Sequence, residues 1–178
     1  EIIDSVLIAE NTGVGDRNQN TFNVNYRYFD EKRRSLNFDL DYGKYENTNQ
    51  RFQPNRYFNN AERDTFLSET INSFDTPTDI DIYTAKLDYE TNFKKGKLGL
   101  GGKYAQVGTQ NTFEVYDVLN GENLLDSSRS NSFDYEETVY AGYMSYSTPI
   151  GEKVSIIAGL RAEQTISVGT LTAYLESL

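Results

Sequence analysis

The stretch Thr21-Phe22-Asn23-Val24-Asn25-Tyr26-Arg27-Tyr28-Phe29 and its successor Ser35-Leu36-Asn37-Phe38-Asp39-Leu40-Asp41-Tyr42 decide the fold. In the first, Phe22, Val24, Tyr26 and Tyr28 alternate with Asn23, Asn25 and Arg27. In the second, Leu36, Phe38, Leu40 and Tyr42 alternate with Asn37, Asp39 and Asp41. A period of two marks a strand with one apolar face. The charged link Asp30-Glu31-Lys32-Arg33-Arg34 is short, so the two strands form a hairpin that shares that face.

The pattern recurs in two more hairpins. Residues 80–93 join 97–109 through Lys94-Lys95-Gly96-Lys97, and residues 133–148 join 154–168 through Pro149-Ile150-Gly151-Glu152-Lys153. Tyr83, Ala85, Leu87, Tyr89 and Phe93 share a face in one strand; Val154, Ile156, Ala158, Leu160 and Ala162 do so in another. Within residues 139–146 both phases carry apolar side chains, so the face there stays open. Residues 5–10 read as part of an earlier strand, linked to the next by a connection at residues 11–18, which gives about seven strands, several longer than the ~5–6 residues usual in globular proteins. Between the hairpins lie polar stretches at 46–78 and 110–131, read as long loops. Short turns at one end of an up-and-down sheet and long loops at the other is the plan of a transmembrane β-barrel wall. The expected fold is therefore all-β: an antiparallel meander, forming part of such a barrel, with residues 1–178 as a single unit.

Composition narrows function further. Hydrophobic residues make up only 37%, yet there are 14 Tyr and 10 Phe. Many rings with little bulk hydrophobicity suit one-sided strands and the aromatic girdles of a membrane wall. The net charge of −10 opposes nucleic-acid binding, which needs a basic face. With no Cys and no His, disulfide frameworks, Ser-His-Asp and Cys-His mechanisms and typical zinc sites are excluded. No stretch approaches the ~20 apolar residues of a spanning helix, but a barrel strand needs only ~9–11 and hides its hydrophobicity by alternation. Alternation alone allows either face to meet the apolar phase. Loop asymmetry and strand length favour lipid against the Tyr/Leu/Val face. The alternative is a soluble lipocalin-like barrel with those residues inside, around a small apolar ligand.

Three further stretches carry a resemblance. Tyr140-Ala141-Gly142-Tyr143-Met144-Ser145-Tyr146, then Gly151-Glu152-Lys153-Val154-Ser155, then Ala158-Gly159-Leu160-Arg161-Ala162-Glu163 are similar to the barrel of TonB-dependent receptors, of the Bacteroidetes outer-membrane type. Leu87-Asp88-Tyr89, Lys94-Lys95-Gly96-Lys97-Leu98 and Gly101-Gly102-Lys103-Tyr104 resemble the preceding hairpin of such barrels. The resemblance covers about residues 79–168. It implies a location in the outer membrane of a Gram-negative cell and lipid around the wall. It also implies uptake of a small-molecule or glycan ligand, and a TonB-type energy-coupling protein acting through a plug. No plug or coupling box is visible, so the chain reads as a piece of a longer barrel whose edges are open to self-association.

Candidate sites are few. Residues 46–78 contain Arg51, Phe52, Arg56, Tyr57, Phe58 and Arg63 among many asparagines. Rings that stack on a ligand and guanidinium groups that grip carboxylates make these six the candidate ligand-binding residues. The pairs Asp39/Asp41 and Asp79/Asp81 each share a strand face, but their neighbours are Asn and Arg, so a hydrated surface is the expected role rather than catalysis. No catalytic residue, metal site or cofactor is expected.

Overall fold

The protein, seen in a computed structural model, is described at residues 5–59 and 64–174; Arg63 lies outside these. Among the described residues every regular element is a strand. They are β1 (Val6–Ala9), β2 (Thr12–Phe29), β3 (Ser35–Phe58), β4 (Phe66–Asp75), β5 (Thr78–Phe93), β6 (Gly96–Leu119), β7 (Glu122–Leu125), β8 (Asn131–Ile150) and β9 (Val154–Ala173). All nine belong to one antiparallel sheet.

The nine segments align into six long strands. β1 and β2 pair with β3 in one unbroken register, with Val6 opposite Phe58 and Thr12 opposite Phe52. The interruption between them faces Pro54, whose carbonyl accepts from the Glu10 amide at 3.1 Å but which has no N–H to give back. β4 and β5 likewise share one register along β6, with Asn72 opposite Asp117 and Thr78 opposite Asn111. Pro77 sits at their break. β7 and β8 follow one another down β6, separated by a bulge at 126–130 that shifts the pairing.

Two expectations are corrected here. The stretches 46–78 and 110–131 are not long loops: most of their residues belong to β3, β4, β6 and β7. Each ladder that starts in a hairpin continues upward, because backbone pairing is indifferent to whether the side chains are Asn, Gln or Thr. Nor do residues 11–18 form a connection; 12–18 pair with β3. The asymmetry between the two ends is therefore one of strand overhang. At the lower end β2 turns into β3 over residues 30–34, β5 into β6 over 94–95, and β8 into β9 over 151–153. Arg33, Lys94 and Gly151 supply the positive φ values of 58°, 54° and 72°. At the upper end β6 turns into β7 through Asn120 and Gly121, at φ 54° and 84°, the Asn-Gly pair that a tight hairpin favours.

The register sorts side chains onto two faces. One carries Val24–Leu40–Ala85–Tyr104–Tyr140 as a single row and Tyr28–Leu36–Tyr89–Leu100–Met144–Leu160 as another. The open phase at 139–146 resolves with Tyr140, Met144 and Tyr146 on this apolar face. Val24 is 62% exposed, Leu40 41%, Leu87 47% and Ile156 49%, and among the described residues only Val115, Ala141 and Pro54 bury an apolar side chain. A lipocalin-like barrel would enclose those four in a dry interior, so that alternative fails. An apolar face this large and open requires an apolar solvent.

Its height fits one. On β5 the apolar face runs from Tyr83 to Phe93. Those eleven residues span about 33 Å of strand at ~3.3 Å per residue, or about 25 Å upright at a ~40° tilt, the height of the lipid-facing band of a barrel. Rings mark both borders. Phe22, Tyr42 and Tyr83 stack in one row at the top, with centroids 6.3 and 4.9 Å apart. Phe93 and Tyr146 meet edge to face at the bottom, 6.2 Å apart. The Tyr42 hydroxyl donates upward to Asp81 at 2.9 Å, as an interfacial ring with one wet end should.

Candidate functional site

The opposite face is polar over the same height, and its groups are tied across strands. Asn23 donates to Asp41 at 2.6 Å, Asn25 to Asp39, and Arg27 to Asn37 at 2.7 Å, each pair directly opposite in the β2–β3 ladder. Asp39 and Asp41 are thus both held by amides. Further along, the Tyr143 ring lies across Gly101 and its hydroxyl donates to Asp88, which also takes Lys86 at 2.7 Å. The Arg161 guanidinium sits 5.7 Å from the Tyr143 ring centre and pairs with Glu163. This chain of contacts crosses β5, β6, β8 and β9 and forms the polar lining of the wall at membrane level. The alternation already puts Lys86, Asp88, Arg161 and Glu163 on one polar face; only the part of Tyr143 was missed, because that residue falls in the stretch of open phase. The signal that finds it is Gly101, a bare position that only a neighbouring ring can cover.

Above the upper ring border the polarity of the two faces exchanges. The sequence Asp79-Ile80-Asp81-Ile82-Tyr83-Thr84-Ala85 contains the switch: the apolar phase passes from even to odd positions with no bulge. In this rim the face continuous with the apolar belt carries Glu46, Asp79, Asp81, Asp134 and Glu136. The face continuous with the polar lining carries Tyr45, Ile80, Ile82, Val107, Phe133 and Tyr135. The acidic pair Asp79 and Asp81 therefore faces outward. The rim's inner surface is one of rings, aliphatic side chains and amides.

The rim has one well-packed corner. Val115, 2% exposed, donates its amide to the Ser130 hydroxyl at 3.0 Å and accepts from the Asp126 amide at 2.7 Å. The carboxylate of Asp126 collects the Ser128 hydroxyl and amide and the Arg129 side chain and amide. Arg129 then reaches Asp117 and the buried Asn72. The Ser128 and Arg129 hydrogen bonds hold the Asp126 carboxyl down at about 2.

The six ligand-binding candidates do not form one site. β3 alternates them between the faces: Arg51 and Tyr57 point inward, Phe52, Arg56 and Phe58 outward. Arg56 is held by Glu10 at 3.3 Å and Glu69 at 2.8 Å, and Phe58 packs edge-on against Phe66 at 6.0 Å. Only Arg51 and Tyr57 share the inner surface, and Arg63 lies outside the described residues. Among the described residues no cluster of carboxylates has the geometry of a metal site.

No curated protein matches the chain. A family model does, over residues 27–176, and that span takes in β3 to β9 and with them most of the belt, the polar lining, the ring borders and the rim. By sequence match and by architecture alike, the chain belongs to the outer membrane protein β-barrel family.

Proposed function

We propose that this outer-membrane wall is part of a receptor of the TonB-dependent type, which takes up a small-molecule or glycan ligand without catalysing a reaction on it. The observation that carries the reading is the continuous inner face. Its polar network at membrane level can border a hydrated path, and the rim above adds rings and amides suited to receiving a solute. The receptor-like motifs around Tyr140–Tyr146 and Gly159-Leu160-Arg161-Ala162-Glu163 support it. The non-catalytic reading is supported by Asp39 and Asp41, which are each occupied by an asparagine. The exposed edges β2 and β9 would pair with further strands, in the same chain or another, since lipid leaves no backbone group unpaired. An energy-coupling partner would act through a plug within the closed wall.

The test compares spent medium from wild-type cells and from cells in which the gene is disrupted. The reading expects at least one solute to remain in the medium of the disrupted strain, and a protonophore to reproduce that defect in wild-type cells. Identical media would overturn uptake. A defect insensitive to the protonophore would leave a passive pore in place of an energised receptor.

A further inference from the structure

We propose that the β2–β3 hairpin carries, on its inner face above the membrane, a binding site for an anionic solute with a flat apolar body, gripped by Arg17 and Arg51. The site deepens the uptake reading and rests on it for its role, since it names the charge class of the ligand.

The register places the parts. Arg17 stands opposite Asn47, Gly15 opposite Asn49 and Gly13 opposite Arg51, all on the face that lower down is the polar lining. Along β2 this face therefore reads Gly13, Gly15, Arg17. The two guanidinium groups flank a floor that is bare on β2 and carries an amide on β3. They are rooted four residues apart along the ladder, about 13 Å at ~3.3 Å per residue. The stem of Arg51 lies over Gly13, with 3.6 Å between its Cγ and the place of a Cβ. One row below, the Tyr45 ring leans over Gly43, 3.2 Å from the place of a Cβ there, and adds an aromatic surface to the same face. Two cationic forks, two amides and a ring face are what a carboxylate on an aromatic or alicyclic body needs.

Charge makes the choice of an anion. Acids outnumber bases 27 to 17 in this chain, so partners for arginine are plentiful. Arg34, Arg56, Arg129 and Arg161 each hold a carboxylate. Arg27 is occupied by Asn37 and the Phe29 ring. Arg17, Arg51 and, in the turn at the opposite end of the hairpin, Arg33 hold no carboxylate among the described residues; only Arg17 and Arg51 share the inner face of the rim. The acids nearest this hairpin are sorted away from it: Glu46, Asp79 and Asp81 face outward, as do Asp134 and Glu136, while the inward-facing Asp117, Glu122 and Glu137 stand on β6, β7 and β8, where Arg129 holds Asp117 and the Tyr135 hydroxyl donates to Glu137. An acidic chain thus keeps its inner rim cationic at this hairpin.

The test uses three probes of one shape: 2-naphthoate, neutral 2-naphthamide and cationic 2-naphthylmethylamine. The full chain in nonionic detergent micelles is titrated with each, and empty micelles are subtracted. With no Trp in the chain, energy transfer from tyrosine to the naphthyl ring reports binding. The proposal expects naphthoate to bind at least tenfold more tightly than the amide. In the R17Q/R51Q double variant naphthoate falls to the amide's affinity while the amide is unchanged and the circular dichroism stays that of the parent. Equal affinity for all three probes, tighter binding of the cation, no binding of any, or a preference that survives the double substitution would each overturn it. These outcomes concern charge preference in vitro, so they are separable from a failure of the cellular uptake experiment.

Discussion

The Tyr143 ring occupies the space where a side chain at Gly101 would stand, and from there its hydroxyl donates a hydrogen bond to Asp88 two strands away. One residue thus spans β8, β6 and β5 on the polar lining, and a glycine is required beneath it. This is the ring-over-glycine device by which curved sheets fix register.

Gly101→Ala should therefore be costly, because a Cβ there falls inside the ring and Tyr143 must leave Asp88. The ring end can swing clear on this half-exposed face, so the expected loss is that of the hydrogen bond together with the ring's cover, about 1–2 kcal/mol. Tyr143→Phe keeps the cover and loses only the hydrogen bond, about 1 kcal/mol. Thermal unfolding in detergent should rank the two in that order, and equal midpoints would deny the covering role.

A charge placed on the two faces should have opposite consequences. Leu87→Arg puts a guanidinium in the middle of the apolar belt, which costs about 2–4 kcal/mol at the bilayer midplane. Thr84→Arg puts it on the polar lining beside Asp41, its ladder partner on β3, and should cost less than about 1 kcal/mol. Urea unfolding from vesicles measures both; a larger loss for Thr84→Arg would reverse the assignment of faces.

The bulge corner should loosen in acid. In the folded chain the Asp126 carboxyl titrates at about 2, below its usual 3.8, so the folded form holds the proton less tightly than the unfolded one. The group thus contributes stability above about pH 4, and that contribution is lost as pH falls toward 2. Exchange of the Ser128 and Arg129 amides, which both donate to this carboxylate, should rise relative to the intrinsic rate over that interval. Asp126→Asn should already exchange fast at pH 5. Unchanged protection down to pH 2 would count against this linkage.

Much of the fold was legible because the belt obliges it. Lipid on one side and water on the other impose strict alternation on residues such as 22–28, 36–42 and 83–93, and charged turns mark where it stops. The rim was not legible in the same way. There both faces meet water, so alternation weakens, and Asn47, Asn49 and Gln50 read as loop although their backbones are fully paired. Two signals were present: the phase switch across Asp79–Ala85, and Asn120-Gly121 as a hairpin turn within an apparent loop. The candidate site suffered most. A loop would have let Arg51, Phe52, Arg56, Tyr57 and Phe58 converge, whereas a strand sends neighbours to opposite faces and leaves only Arg51 and Tyr57 inside.

The central claim is that the Tyr/Leu/Val face meets hydrocarbon and the Asn/Asp/Lys face meets water. The chain has no cysteine, so single cysteines report without background. Spin labels at Val24, Leu40, Leu87 and Ile156, and at Asn25, Asp41, Thr84 and Ser155 on the opposite face, would be compared in vesicles for collision with oxygen and with a polar nickel chelate. The first four should favour oxygen and the second four the chelate, alternating residue by residue. The opposite alternation, or none, would contradict the account.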